Sequence, residues 1–354
     1  MLERIHKLVK RDTIPPQSVI DLLKNTLIGT NGTLYQLLDT AEKIHALHQP
    51  TFIYLERNGK AIANFTICKR EITIGNNKAP SLYIRYFAFD SIFQGGSEKS
   101  KGNSGFHQYF KALFESSNTN PITPVREKLM YWAFIDPENL RSFNMNEQFG
   151  FQTIGKFKTT AFSRVNPKKH NIERAACADY NAIRESLHSF YKDYQLYSTI
   201  HLFEHDNYFV IKKEGEIVCG IQANPVHWKI KSLPGTTGKI MLKYARYIPR
   251  IKKLINPENH CFLATEGLFW KPGYEHEVAN LLEGVLAETG HHSLLIWTDS
   301  NYDILEKLRI KWGFIQRMKK NNEVHIVAKL NNYSTAEIDM LKSQPKYLSG
   351  FDMT

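Results

Sequence analysis

The sequence predicts an α/β protein built as two halves on one plan. Three observations carry this. Helical periodicity alternates with strand-like runs along the whole chain. A buried strand, a Gly/Ser/Lys loop and a helix start follow one another between Ser81 and Ser117. The order of elements in the first half recurs in the second.

Residues 12–50 read as two helices. DTIPPQSVIDLLKNTL has the Pro-containing start that helix N-termini tolerate, and GTLYQLLDTAEKIHAL has apolar residues at helical spacing. TFIYLERNGKAIANFTICKREI reads as a hairpin around Asn58-Gly59, the strongest short hairpin signal. GNNKAP reads as a second turn. It leads into SLYIRYFAFD, a run of aromatic and aliphatic residues suited to a buried strand. After the loop SIFQGGSEKSKGNSG comes FHQYFKALFES. Phe106, Tyr109, Phe110, Leu113 and Phe114 fall on one helix face, and Ser104 stands at the N-cap position. A loop and helix start of this kind present free backbone N–H groups and a favourable dipole to an anion. MYWAFID is another buried strand, PENLRSFNMNEQFGF a helix ending at Gly150, and FQTIGKFKTTAFSRV a closing hairpin. The polar run NPKKHNIERAA places a domain boundary near Pro167 to Asn171.

The second half follows the same order. It has a helical stretch from Cys177, a hairpin around Glu214-Gly215, the strand HCFLATEGLFW and the helix EHEVANLLEGVLAETG. The strand SLLIWTD, a helix SNYDILEKLRIKWGF and a closing hairpin at Asn321-Asn322 complete it. Gly59 matches Gly215 and Phe151 matches Phe314 at nearly equal offsets, which argues for an internal duplication. The expected domains are 1–168 and 169–333, followed by a C-terminal helix and tail at 334–354. The second half alone carries an insertion at 236–257. No acidic residue lies between Ile217 and Pro257, and KIMLKYARYIPRIKKLI reads as a basic amphipathic helix containing Pro249. Lys239, Lys243, Arg246 and Arg250 line one side; Ile240, Tyr244, Tyr247, Ile248 and Ile251 line the other. A solvated face over the sheet and a docking surface for nucleic acid or an anionic surface (Lys239 to Lys253) both fit that pattern.

Forty-six Lys+Arg against 35 Asp+Glu give +11, which suits an anionic ligand. Cys68, Cys177, Cys219 and Cys261 are scattered without CxxC spacing and read as buried thiols of a reducing, cytoplasmic setting. The N-terminal residues form no apolar leader, and no run approaches the roughly 18 apolar residues of a membrane span. His205/Asp206 and His291/His292 lack metal-ligand spacing, so no metal is expected. Without a GxGxxG turn after a strand, a GxxxxGK[ST] loop or a GxSxG elbow, nucleotide hydrolysis and serine-hydrolase chemistry have no support.

The strand–loop–helix at 81–117 and the two helices ending in Gly-Phe resemble the GNAT superfamily of acyl-CoA-dependent N-acyltransferases, present twice in tandem. The resemblance implies two domains, each with a mixed, mostly antiparallel central sheet flanked by helices. It also implies acetyl-CoA, or another acyl-CoA, as cofactor and an amine as acceptor. The family loop Q/R-x-x-G-x-G/A is matched by Lys99-Ser100-Lys101-Gly102-Asn103-Ser104. Lys replaces Gln/Arg, Ser replaces the last small residue, and Gln94 to Glu98 are inserted before it. The helix pattern N-x-x-A/S-x-x-L-Y-x-x-x-G-F is matched by Asn139, Ser142, Met145, Gly150 and Phe151. Its Tyr, the usual acid toward the departing thiolate, is replaced by Asn146, and an amide cannot donate a proton in that way. The cofactor would lie along Phe87, Ala88 and Phe89, with Lys99, Lys101, Gly102, Asn103, Ser104, Gly105 and Asn139 around its phosphates. Tyr86, Asp90 and Asn146 are the candidate catalytic positions, Tyr131 is a further candidate acid, and Arg85 is suited to orienting an acidic acceptor. Strand alternation puts Tyr83, Arg85 and Phe87 on one face and Tyr86 on the other. The second loop, Trp270 to Glu275, has Glu275 at its small-residue position and Glu277 close by, so the second domain is expected to be degenerate for the cofactor. A Fem-like aminoacyl transferase using charged tRNA, or a non-catalytic module of this fold, are the alternatives. Oligomeric state is not legible.

Overall fold

The computed structural model describes residues 8–29, 32–75, 77–90, 105–115, 127–318 and 323–354. In chain order they form β1 (Val9–Asp12), α1 (Gln17–Asn25), β2 (Leu34–Leu37), α2 (Thr40–His45), β3 (Pro50–Arg57), β4 (Lys60–Ile74), β5 (Asn77–Phe89) and α3 (Gly105–Phe114). Then come β6 (Leu129–Ile135), α4 (Leu140–Gln148), β7 (Gln152–Ser163), β8 (Glu173–Arg174), α5 (Tyr180–Phe190), β9 (Tyr208–Lys213) and β10 (Glu216–Ser232). The chain continues as α6 (Gly235–Tyr244), α7 (Pro249–Leu254), β11 (His260–Trp270), α8 (Glu277–Thr289), β12 (Ser293–Asp299), α9 (Phe314–Met318), β13 (Val324–Asn331) and α10 (Thr335–Ser343). Two compact units result: residues 1–30, 38–155 and 325–343, and residues 31–37, 156–324 and 344–354.

In the first unit the strand order is β1-β3-β4-β5-β6-β13, and only β5 and β6 run parallel. The hairpin of β3 and β4 turns at Asn58 and Gly59, both with positive φ (52° and 74°), as a two-residue turn matched to strand twist requires. One face of the sheet is covered by α3, whose Tyr109, Leu113 and Phe114 pack on Phe65, Ile67 and Tyr131. The Tyr131 hydroxyl donates to the Leu113 carbonyl at the end of α3 (3.0 Å).

In the second unit the order is β7-β12-β11-β10-β9-β8, with β2 paired to the far end of β10. Again only one pair, β11 and β12, is parallel. The hairpin of β9 and β10 repeats the turn at Glu214 and Gly215 (φ 52° and 83°). The apolar face of α8 (Val278, Leu281, Leu282, Val285) covers β10, β11 and β12.

Several expectations are corrected. Residues 34–37 form a strand, not the start of a helix: Tyr35 stacks on Trp228 (3.7 Å), and β2 completes an edge that β10 otherwise exposes. GNNKAP is not all turn, because Asn77 already pairs with Ile74 and starts β5. The stretch from Phe151 to Val165 is one long strand rather than a hairpin. It pairs with β12 throughout its later half, so residues 156–163 belong to the second unit's sheet. In the same way β13 pairs with β6 and belongs to the first unit. Each closing strand therefore sits in the other half's sheet, and a continuous division near residue 168 differs from the compact units. Residues 304–307 form only a short 3-10 turn, and Phe314 starts α9 rather than a strand. The expected turn at Asn321-Asn322 lies outside the described residues. The basic segment is two helices, not one. Proline at 249 cannot continue α6 and instead occupies the first turn of α7. Cys68 and Cys219 are buried strand residues as expected, but Cys177 is exposed and Cys261 only half-buried. Among the described residues no helix is long and apolar enough to cross a membrane, and no group of His, Cys, Asp and Glu is arranged to hold a metal.

Candidate active site

Strands β5 and β6 pair only at Ser81–Tyr83 with Met130–Trp132 and then separate. Beyond Tyr83 and Trp132 the ladder between β5 and β6 does not continue among the described residues. Just where the strands part, β5 bulges. Thr66 opposes Arg85 and Asn64 opposes Ala88, so Tyr86 and Phe87 together face the single residue Phe65. Tyr86 takes a positive φ of 54°, a conformation that a bulky side chain adopts only under constraint. Asn64 supplies that constraint. Its buried amide donates to the Tyr86 carbonyl (2.9 Å) and to Thr66 Oγ1 (3.0 Å).

The bulge also resets which way β5 side chains point. Leu82, Ile84 and Phe87 all belong to the core under α3, although strict alternation would have put residue 86 there. The expected grouping of Phe87 with Tyr83 and Arg85 is therefore overturned. Arg85 and Tyr86 instead lie together, the guanidinium 4.6 Å from the phenol ring centre. Burial raises the Tyr86 hydroxyl's pKa, against a lowering by Arg85. Asp39 and Lys43, at the start and within α2, share this neighbourhood. Lys43 Nζ is 3.6 Å from Asp39, and both side chains are almost fully covered. Burial pulls the Lys43 amine down to about 8, with Asp39 opposing the shift and Arg85 adding to it. A buried lysine poised near neutrality is an unusual group beside a strand opening. Nothing in the local pattern of TAEKIH marks it, because its state is set by burial in the folded chain, with Arg85, distant in sequence, adding to the shift.

On the α3 side of the same bulge lies an apolar hollow, partly open to solvent. Val9, Ile53, Ala63, Phe65, Phe87 and Phe110 are among its lining residues.

The remaining sequence candidates are distributed as follows. Gly105 is the first residue of α3; Lys99, Lys101, Gly102, Asn103 and Ser104 lie outside the described residues. Ala88 and Phe89 pair with β4 on one edge and face the strand opening with the other. The Asp90 amide donates to the Ile62 carbonyl (2.9 Å), which ends the strand. Asn139 is the N-cap of α4, accepting from the Ser142 amide (3.2 Å). Asn146 donates its side-chain amide to the Ser142 carbonyl (2.8 Å), an interaction internal to the helix.

The second unit repeats the arrangement. Strands β11 and β12 pair only at Leu263–Leu294 and Ala264–Leu295 before parting. A bulge at Gly267 (φ 61°) takes the place of Tyr86 and is held by the Tyr208 hydroxyl, which donates to the Gly267 carbonyl (2.7 Å). Here, however, the start of α8 is occupied by its own carboxylates. Glu275 accepts from the Gly273 amide (3.3 Å), and Glu277 pairs with Lys213 (2.6 Å) and Asn280 (2.8 Å). Beside the bulge, Glu266 replaces the cation Arg85. It is buried, accepts from Ser349 Oγ (2.5 Å), and is pushed up by burial. The segment after Tyr347 lies against β11, with Gly350 so close that a Cβ there would overlap the Thr265 carbonyl.

The sequence matches no protein-family model and no curated protein. In three dimensions the chain is similar to Saccharomyces cerevisiae N-myristoyltransferase with bound myristoyl-CoA. The TM-score is 0.54 at 10% identity, over 92% of this chain and 83% of that one. A second structure of that enzyme, with myristoyl-CoA and inhibitors, gives 0.55 at 9% identity, over 91% and 80%. The chain has the GNAT fold in a tandem-like arrangement. A GCN5-related N-acetyltransferase from Sphaerobacter thermophilus aligns over 91% of this chain and 95% of that one, at TM-score 0.47 and 9% identity. In this GNAT fold the central strand β5 is the part the sequence resemblance pointed to, and the bulge at Tyr86 is not. Lys43, Asp39 and Asn64 are the parts it did not reach.

Proposed function

We propose that the first unit is an acyl-CoA-dependent N-acyltransferase site, with an amine attacking the thioester directly. The observation that carries this reading is the opening of β5 from β6 at a bulge, with α3 starting shortly after β5. The cofactor would bring a thioester carbonyl already activated toward amines. Positioning and proton handling fall to the chain. The parting of β5 from β6 after Tyr83 suits the amide groups of a pantetheine arm, and the start of α3 with the basic loop Lys99–Gly105 suits a pyrophosphate. Lys43, its amine near neutrality, is suited to taking the proton of the attacking ammonium. Arg85 is suited to a carboxylate on the acceptor. Tyr86 keeps its proton at neutral pH and is better suited than Asn146 to donating to a departing thiolate.

Acetyl-CoA is the simplest donor. The apolar hollow favours a second reading, a longer acyl chain seated among Phe65, Phe87 and Phe110. The second unit, with carboxylates at the start of α8, is read as having lost cofactor binding, and the two halves as an internal duplication. Calorimetric titration with acetyl-, octanoyl- and myristoyl-CoA tests both readings. Heat with at least one donor is expected. Affinity rising with chain length, and losing that rise in Ala63→Phe, supports the longer acyl group; equal affinities favour acetyl. No heat with any donor at millimolar concentration contradicts the acyltransferase reading.

A further inference from the structure

We propose that α6, α7 and the turn between them form a docking surface for an anionic lipid bilayer. The helices bury Met241, Ala245, Leu254 and Ile255 against Ile230. With that face already used, four large apolar side chains still point to solvent: Ile240 (55% exposed), Tyr244 (47%), Tyr247 (65%) and Ile248 (45%). Exposed large apolar side chains gathered in one short segment mark an interaction site rather than a scatter of single residues. The same segment carries exposed Lys239, Lys243, Arg250, Lys252 and Lys253, and no acidic residue lies between Ile217 and Pro257. Lys243 also sits over the Tyr244 ring (5.4 Å).

Charge complementarity selects an anionic partner, and the apolar set selects among anionic partners. Tyrosines can stack on bases, but Ile240 and Ile248 gain nothing from a phosphate backbone. In the boundary zone of a bilayer, aliphatic and tyrosine side chains are buried at headgroup depth while the flanking ammonium and guanidinium groups meet lipid phosphates and carboxylates. The helices lie on the surface rather than cross it, since none of the described helices is long and apolar enough to span. This inference stands apart from the acyltransferase reading, because it uses no residue of the first unit.

The test is co-sedimentation of the full chain with phosphatidylcholine vesicles, with and without phosphatidylserine, and a parallel titration with duplex RNA. Binding is expected only to the serine-containing vesicles. Lys239→Gln/Lys243→Gln/Arg250→Gln should weaken it about a hundredfold, from roughly fivefold per basic residue. Ile240→Ser/Ile248→Ser should weaken it at least about tenfold with the charges intact, because buried aliphatic area is lost. All these positions are exposed, and an unchanged thermal midpoint confirms that folding is intact. Absence of vesicle binding, insensitivity to the isoleucine pair, or tighter binding to RNA than to vesicles would overturn the proposal.

Discussion

Lys43 offers a prediction in which stability and activity move in opposite directions. Holding its amine near pKa 8, against an ordinary 10.5, corresponds to about 3 kcal/mol of unfavourable free energy for the charged form in the folded state. Desolvation is the main cause, and the attraction of Asp39 is already inside that figure. Lys43→Met keeps the side chain's length and removes the charge, so at pH 7 it should stabilise the fold by ~1–3 kcal/mol. The sign with pH follows from proton counting. Between about 8 and 10.5 the unfolded chain binds a proton that the folded chain has lost, so wild-type stability from this group rises across that window. The advantage of Lys43→Met should therefore shrink from pH 8 to pH 10.5. Urea unfolding at pH 7, 9 and 10 reads this directly, through a midpoint shift at constant slope. If Lys43 is also the base proposed above, the same variant loses acyl transfer by about a hundredfold or more. A variant that is destabilised at pH 7, or an advantage that does not change with pH, would refute the reasoning.

Three further outcomes follow from packing and hydrogen bonding. Asn64→Ala removes both donors that fix the Tyr86 bulge and should cost ~1–3 kcal/mol in urea unfolding, with weaker acyl-CoA binding in calorimetry. Tyr208→Phe leaves the Gly267 carbonyl without its buried donor and should cost ~1–2 kcal/mol, with cofactor binding unchanged. Gly350→Ala places a methyl against the Thr265 carbonyl and should cost at least ~2 kcal/mol; limited proteolysis should then cut near the C-terminus faster than in the parent.

Much of the architecture was legible because it is written locally. Asn58-Gly59 fixes a turn by backbone preference alone, and Glu214-Gly215 repeats it although Glu is no favoured turn residue. The helix face Tyr109 to Phe114 and the stop at Gly150 (φ 79°) are likewise local signals. What escaped depends on partners distant in sequence. The run from Phe151 to Val165 alternates as well for a hairpin as for one strand, and only the waiting edge of β12 decides between them. Leu34–Leu37 fits a helical pattern until Trp228 and the end of β10 are available to pair with it. The bulge at Tyr86 leaves no trace in the spacing of SLYIRYFAFD, yet it sends Phe87 to the core and groups Tyr86 with Arg85. For the same reason the position of Arg85 was legible but its neighbours, Asp39 and Lys43, were not.

The central claim is that the first unit, and not the second, binds an acyl-CoA at the parted strands and the start of α3. Calorimetric titration of the full chain with acyl-CoA, repeated on Gly102→Glu and Gly273→Glu, tests it most directly. One site per chain is predicted, abolished by a carboxylate at Gly102, where it would repel the pyrophosphate, and untouched by one at Gly273. Binding that survives Gly102→Glu, or that is lost with Gly273→Glu, would contradict it.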